Sequence, residues 1–147
     1  MRNEHVRKIL RQYRKIKSLA GTYSALNNLD PKGVFSNKLQ QKIDVIDSWV
    51  VLLSEEDRFV IEKHIFEQIA MPMVVVEYEA RFGIQDGKCD RTLKRYQKRA
   101  INKIARFIES SGFEPTIMAL FASELTQDEK CPASVPVLTL LENRKMS

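Results

Sequence analysis

Two stretches of this chain, 34–71 and 88–111, contain neither glycine nor proline. Sandwiches built of short strands need a turn every ~8–12 residues. Parallel α/β sheets of the dinucleotide-binding type carry glycine-rich loops between strand and helix. With 5 glycines and 5 prolines in 147 residues, the chain supplies too little punctuation for either. The expected fold class is all-α. The length suits one domain, or one domain and a tail, with a core that needs neither disulfides nor a structural metal. Cys89 and Cys131 fit no ligand spacing and indicate no disulfide framework. No apolar run approaches the roughly 18 residues that cross a bilayer. The opening Met1-Arg2-Asn3-Glu4-His5 starts no signal-peptide core. The expectation is a cytoplasmic protein with no membrane partner.

Charge is unevenly placed. Residues 1–17 carry seven basic and one acidic side chain, and 88–106 carry eight basic and one acidic. The segments 18–87 and 107–147 are net acidic. Two compact basic blocks on an acidic chain point to a polyanionic partner, nucleic acid first.

Apolar spacing divides the chain into helices. Val6, Ile9, Leu10, Tyr13, Ile16 and Ala20 predict an amphipathic helix over 4–20, stopped by Gly21. A linker over 21–35 contains Asn27-Asn28, Asp30-Pro31 and Gly33. Ser36 is the expected cap of a helix over 37–53, with Leu39, Ile43, Ile46, Val50 and Leu53 as its stripe and Trp49 beside them. Ser54 is the expected cap of the next helix, with Glu55, Glu56 and Asp57 in its first turn. That helix runs to about 68 and buries Phe59, Val60, Ile65 and Phe66. For 73–82 two readings stay open. Val74-Val75-Val76 is β-branched and suits a strand, whereas Val75, Tyr78 and Phe82 fit a helical face. Gly83 ends the segment, and 84–88 is a turn around Asp86-Gly87. Leu93, Tyr96, Ala100, Ile101, Ile104, Phe107 and Ile108 predict a long helix over 90–110, closed by Gly112. Beyond Pro115 a short helix over 116–125 is expected, and the last 20 or so residues are expected to be poorly ordered. Three regions follow: helices over 1–53, a module over 54–111 and a tail over 112–147.

A short helix, a glycine-containing turn and a longer basic helix make up a helix-turn-helix unit, whose second helix lies in the major groove. That helix needs an apolar stripe toward its scaffold and donors on the opposite face. Arg and Lys suit guanine edges and Thr suits several bases. Arg91, Thr92, Lys94 and Arg95 are therefore the expected base-edge residues, and Lys98 and Arg99 the expected phosphate contacts. Lys103 and Arg106 lie too far along the helix to reach bases. For the N-terminal basic helix a solvated face, a second DNA contact, a dimerisation element and a polymerase contact all stay open.

The run Cys89-Asp90-Arg91-Thr92-Leu93-Lys94-Arg95-Tyr96-Gln97-Lys98-Arg99-Ala100-Ile101-Asn102-Lys103-Ile104 resembles the recognition helix of sigma-factor region four. Leu53-Ser54-Glu55-Glu56-Asp57 and Arg81-Phe82-Gly83-Ile84 resemble the start and the scaffold-helix end of that region. The segment before Cys89 is longer than the family's turn, Cys89 replaces its capping Ser, and Glu79 stands where it has a small residue. The whole layout resembles phage transcriptional regulators of the RinA and ArpU type. That resemblance implies a phage or prophage DNA-binding activator of late, packaging or lysis genes, working in the bacterial cytoplasm, with RNA polymerase as a further partner. Two other readings stay open. One is a small terminase subunit for DNA packaging. The other is an interaction module that binds polymerase or a sigma factor without touching DNA. No phosphate-binding glycine loop, nucleophile with a nearby His or zinc pattern is present, so neither an enzyme nor a cofactor nor a metal is expected.

Overall fold

The computed structural model describes residues 2–26, 28, 30–83 and 90–126. Every regular element among them is helical: α1 (Asn3–Arg11), α2 (Tyr13–Ala25), α3 (Val34–Val51), α4 (Glu55–Val60) with its π-helical continuation Ile61–Phe66, α5 (Met71–Phe82), α6 (Asp90–Ser111), α7 (Glu114–Leu120) and α8 (Ala122–Thr126). The fold is all-α, as the sparse punctuation requires. None of these helices is long and apolar enough to cross a membrane.

The helix expected over 4–20 is two helices. Its ladder tightens at Gln12, whose N–H donates to the Ile9 carbonyl at 3.1 Å. Gly21 does not stop α2, which runs on to Ala25. An exposed glycine inside a helix costs only ~1 kcal/mol against alanine, too little to break one that packs against α3 along its length. α3 starts earlier than expected, and Ser36 is not its cap. Gly33, at φ +70°, turns the chain, and the Asp30 carboxylate accepts from the Ser36 and Phe35 amides at 2.8 and 3.3 Å. Those amides hold the Asp30 pKa below the usual carboxylate range. Ser54 caps α4 as expected, its Oγ accepting from the Asp57 amide at 3.3 Å.

Segment 73–82 is helix, not strand. Pro72 sits in the first turn of α5, where no amide hydrogen is missed. Met71, Val74 and Tyr78 then recur on one buried face, and that burial outweighs the β-branched propensity of three valines. Gly83 ends α5 at φ +88°, ψ 159°, a backbone region open essentially to glycine alone. The turn expected over 84–88, Cys89 and the poorly ordered stretch expected at the C-terminus (127–147) lie outside the described residues. The single helix expected over 116–125 is broken at Phe121, which is fully buried 5.9 Å from the Trp49 ring. Burial of one large ring is worth about 1.5–3 kcal/mol, enough to end α7 and start α8.

Among the described residues the buried side chains form two cores. The larger gathers Val6, Ile9 and Leu10 of α1, Ile46 and Trp49 of α3, Ile61 and Ile65 of the π segment, Ile101, Ile104 and Ile108 of α6, and Ile117 and Phe121. It draws on all three regions expected from the sequence. The smaller gathers Phe59 and Val60 of α4, Met71, Val74 and Tyr78 of α5 and Leu93 of α6, with Phe82 and Tyr96 packed against it. α6 thus belongs to both, its N-terminal half to the small core and its C-terminal half to the large one. A buried ion pair, Lys42 Nζ to Glu124 Oε1 at 2.6 Å, joins α3 to α8.

Candidate nucleic-acid interface

The apolar stripe of α6 fixes which of its side chains face solvent. With Leu93, Ala100, Ile101, Ile104 and Ile108 turned inward, residues four, three, four and four apart share the opposite face: Arg91, Arg95, Lys98, Asn102 and Arg106. Arg91, Lys94, Arg95 and Lys98 are all exposed, so the structure brings these four expected contacts together. Lys94 lies at the edge of the face, with Nζ 3.6 Å from the Asp90 carboxylate one turn earlier. That pair is exposed and holds the ammonium weakly. Arg95, Lys98, Asn102, Lys103 and Arg106 line one shallow depression with Arg99.

Two expected contacts stand apart. Thr92 is half-buried and engaged within the chain, on the flank of the exposed face. Arg99 is held by Asp57: its Nε donates to Oδ2 at 3.0 Å and its Nη2 to Oδ1 at 2.6 Å. The Arg99 guanidinium also lies 4.6 Å from the Tyr96 ring centre. The Asp57 hydrogen bonds raise the Arg99 pKa further. Asp57 is itself buried, and its amide is the one that Ser54 caps. One carboxylate therefore ties the start of α4 to the middle of α6 and sets how far α6 can slide along its scaffold. The first duty of Arg99 is this clamp, with part of its guanidinium left in solvent.

Aromatic packing completes the support. Tyr78 stacks on Phe82 at 4.6 Å between ring centres, and Phe59 meets both edge-on. Burial, reinforced by the Glu56 carboxylate, pushes the Tyr78 hydroxyl up to about 12. This cluster sits directly under Leu93, so the exposed face stands on a rigid base.

Sequence reasoning missed Asp57, read only as an acidic first-turn residue. The Ser54-x-x-Asp57 spacing signals a cap but not the distant arginine. It also missed Asn102, whose side chain hydrogen-bonds that of Asn3 and so brings α1 onto α6. No local pattern announces a contact between residues so far apart in the chain. Among the described residues no three His, Cys, Asp or Glu side chains gather as metal ligands. What remains is a row of long cationic donors, backed by a core and open to solvent. Such a row can neutralise phosphates and reach hydrogen-bond acceptors in a groove. Compared with protein-family models, curated proteins and solved structures, the chain matches none.

Proposed function

We propose that this chain is a sequence-specific, double-stranded-DNA-binding transcription regulator that lays the N-terminal half of α6 in the major groove. One observation carries the reading. Arg91, Lys94, Arg95 and Lys98 are exposed together on a helix whose reverse side is buried through Leu93 and whose flank is held by the Arg99–Asp57 clamp. A helix ~10–12 Å across fits a groove ~12 Å wide. Residues 90–99 span about 15 Å of it at ~1.5 Å per residue.

Arg91, Lys94 and Arg95, nearest the helix start, are the base-reading residues, with Thr92 at their flank. Lys98, Lys103 and Arg106 neutralise phosphates, and Arg99 chiefly positions the helix. The resemblance of 53–108 to sigma-factor region four supports the regulator reading. The resemblance of the whole layout to phage regulators of the RinA and ArpU type supports assigning the chain to the phage late-gene class, as an activator in the bacterial cytoplasm with RNA polymerase as its second partner.

The test is fluorescence anisotropy with a labelled duplex over a salt series. The three phosphate contacts of Lys98, Lys103 and Arg106 contribute a slope of log K against log salt of about −2.7, a loss of roughly 40-fold between 50 and 200 mM. The Arg91/Lys94/Arg95 triple alanine variant should lose binding while keeping its fold. Wild-type protein that leaves the duplex unbound at low salt refutes the reading.

A further inference from the structure

The basic N-terminal helix has a location that bears on what it does. The Asn3 side chain hydrogen-bonds that of Asn102, in the middle of the α6 cationic face. Two turns later Arg11 shares a surface hollow with Gln97 of α6 and with His64, Ile65 and Gln68. α1 therefore runs antiparallel along one flank of α6, its residue 3 level with 102 and its residue 11 level with 97. Val6, Ile9 and Leu10 fasten it there from beneath, in the large core.

Asn3, Arg7 and Arg11 follow one another at intervals of four and occupy a single face of α1. That face lines the seam with α6. Helical phase brings Lys94 and Lys98 out of α6 on the same side of its exposed face. Arg7 is half-buried in the seam, and its Nε is buried with no hydrogen-bond partner among the described residues. An unsatisfied buried donor is costly and is normally paired in the complete assembly. Arg7 keeps part of its side chain accessible, so an outward shift of that side chain would bring Nε to a phosphate oxygen arriving at the seam.

We infer that α1 is a second DNA-contacting element, with Arg7 and Arg11 gripping the phosphate backbone of the strand that flanks the groove occupied by α6. This rests on the DNA-binding reading of α6 and adds to it a footprint two helices wide. Reading and gripping are divided: α6 supplies base contacts, and α1 supplies sequence-independent affinity.

The experiment is the same salt titration, run on the full chain carrying Arg7→Gln and Arg11→Gln together. Loss of two phosphate contacts lowers the magnitude of the slope by about 1.8. At 0.1 M salt that corresponds to roughly 60-fold weaker binding. Specific and random duplexes should weaken alike, because α1 reads no bases. A Lys32→Gln/Lys38→Gln variant removes the same charge outside the seam and should keep the wild-type slope. The Arg7→Lys/Arg11→Lys variant keeps both charges and should recover most of it, which separates lost contacts from a disturbed α1. An unchanged slope in the glutamine pair, or an equal fall in the Lys32/Lys38 control, overturns the inference. If the α6 triple variant still loses binding while the glutamine pair binds as wild type, α1 alone is refuted. If wild type never binds a duplex, the reading of α6 falls first, and α1 with it.

Discussion

Replacing Arg99 with alanine should destabilise the fold, although the residue sits in a row of solvent-facing cations. The two hydrogen bonds it donates to Asp57 are 3.0 and 2.6 Å long, and the Asp57 side chain is only 5% exposed. Removing one partner of a fully buried pair costs ~3–5 kcal/mol, because the other charge is left desolvated. The Arg99 side chain is 56% exposed, so solvent screens this pair and can reach the carboxylate edge once the arginine is gone. The expected cost is therefore about 2 kcal/mol, close to that of one lost hydrogen bond to a charged group. At ~2.1 cal/mol/K per residue, a chain of this length has an unfolding entropy near 0.3 kcal/mol/K, so Tm should fall by about 6 °C. Thermal melts followed by circular dichroism would measure it, with Asp57→Ala and the double variant closing a cycle. A coupling of about 1.5 kcal/mol is expected between the two sites. Lys98→Ala, one residue away and making no such bond, should stay within ~0.5 kcal/mol of wild type. If Arg99→Ala and Lys98→Ala melt together, or the coupling is below ~0.5 kcal/mol, Arg99 does not hold α6 in place.

Three more outcomes follow from the same packing. Lys42→Met should cost about 3 kcal/mol by stranding Glu124, whereas Lys42→Met combined with Glu124→Leu should come back to within ~1 kcal/mol of wild type; equal losses in chemical denaturation would contradict this. Gln68 is held at φ +57°, so Gln68→Gly should raise stability by about 1 kcal/mol, and an unchanged or lower Tm would count against strain at that position. Asp30 has a folded pKa below its ordinary value of 3.8, because the Ser36 amide, then those of Phe35 and Val34, stabilise its charged form. Its contribution is complete above that value and is lost as pH falls through the folded pKa. Melting curves from pH 6 to pH 2 should therefore show a steeper acid loss in wild type than in Asp30→Asn, and parallel profiles would remove Asp30 from the account.

Long-period features were visible in the sequence because burial enforces them. Leu93, Ala100, Ile101, Ile104 and Ile108 predict α6 nearly to its ends, and Ser54, Gly83 and Gly112 mark boundaries that the backbone obeys. Errors arose where a distant contact overrode a local signal. The valines of α5 leave a strand open until Met71 and Tyr78 set Val74 in one buried cluster with Leu93. Phe121 breaks a helix because Trp49, far upstream, offers it a pocket. Asp30 outcompetes Ser36 as a cap through a turn that Gly33 makes accessible. The exposed face of α6 was legible from periodicity alone. The division of labour within it was not, since Arg99 differs from Lys98 only in having Asp57 opposite it, 42 residues earlier.

α6 is one unbroken helix from Asp90 to Ser111, rooted at one end under α4 and α5 and at the other among α1, α3 and α7. A rod clamped at both ends cannot swivel without tearing one of its mountings. A partner engaging the outer face would meet a helix that is already formed, so the cost of ordering would fall chiefly on its side chains, at about 0.5–1.5 kcal/mol each. The arrangement also separates two kinds of mutational freedom. Positions 91, 94, 95 and 98 can be rewritten without disturbing 93, 100, 101, 104 and 108. The outer surface can thus vary in sequence while the packing that forms the fold is kept.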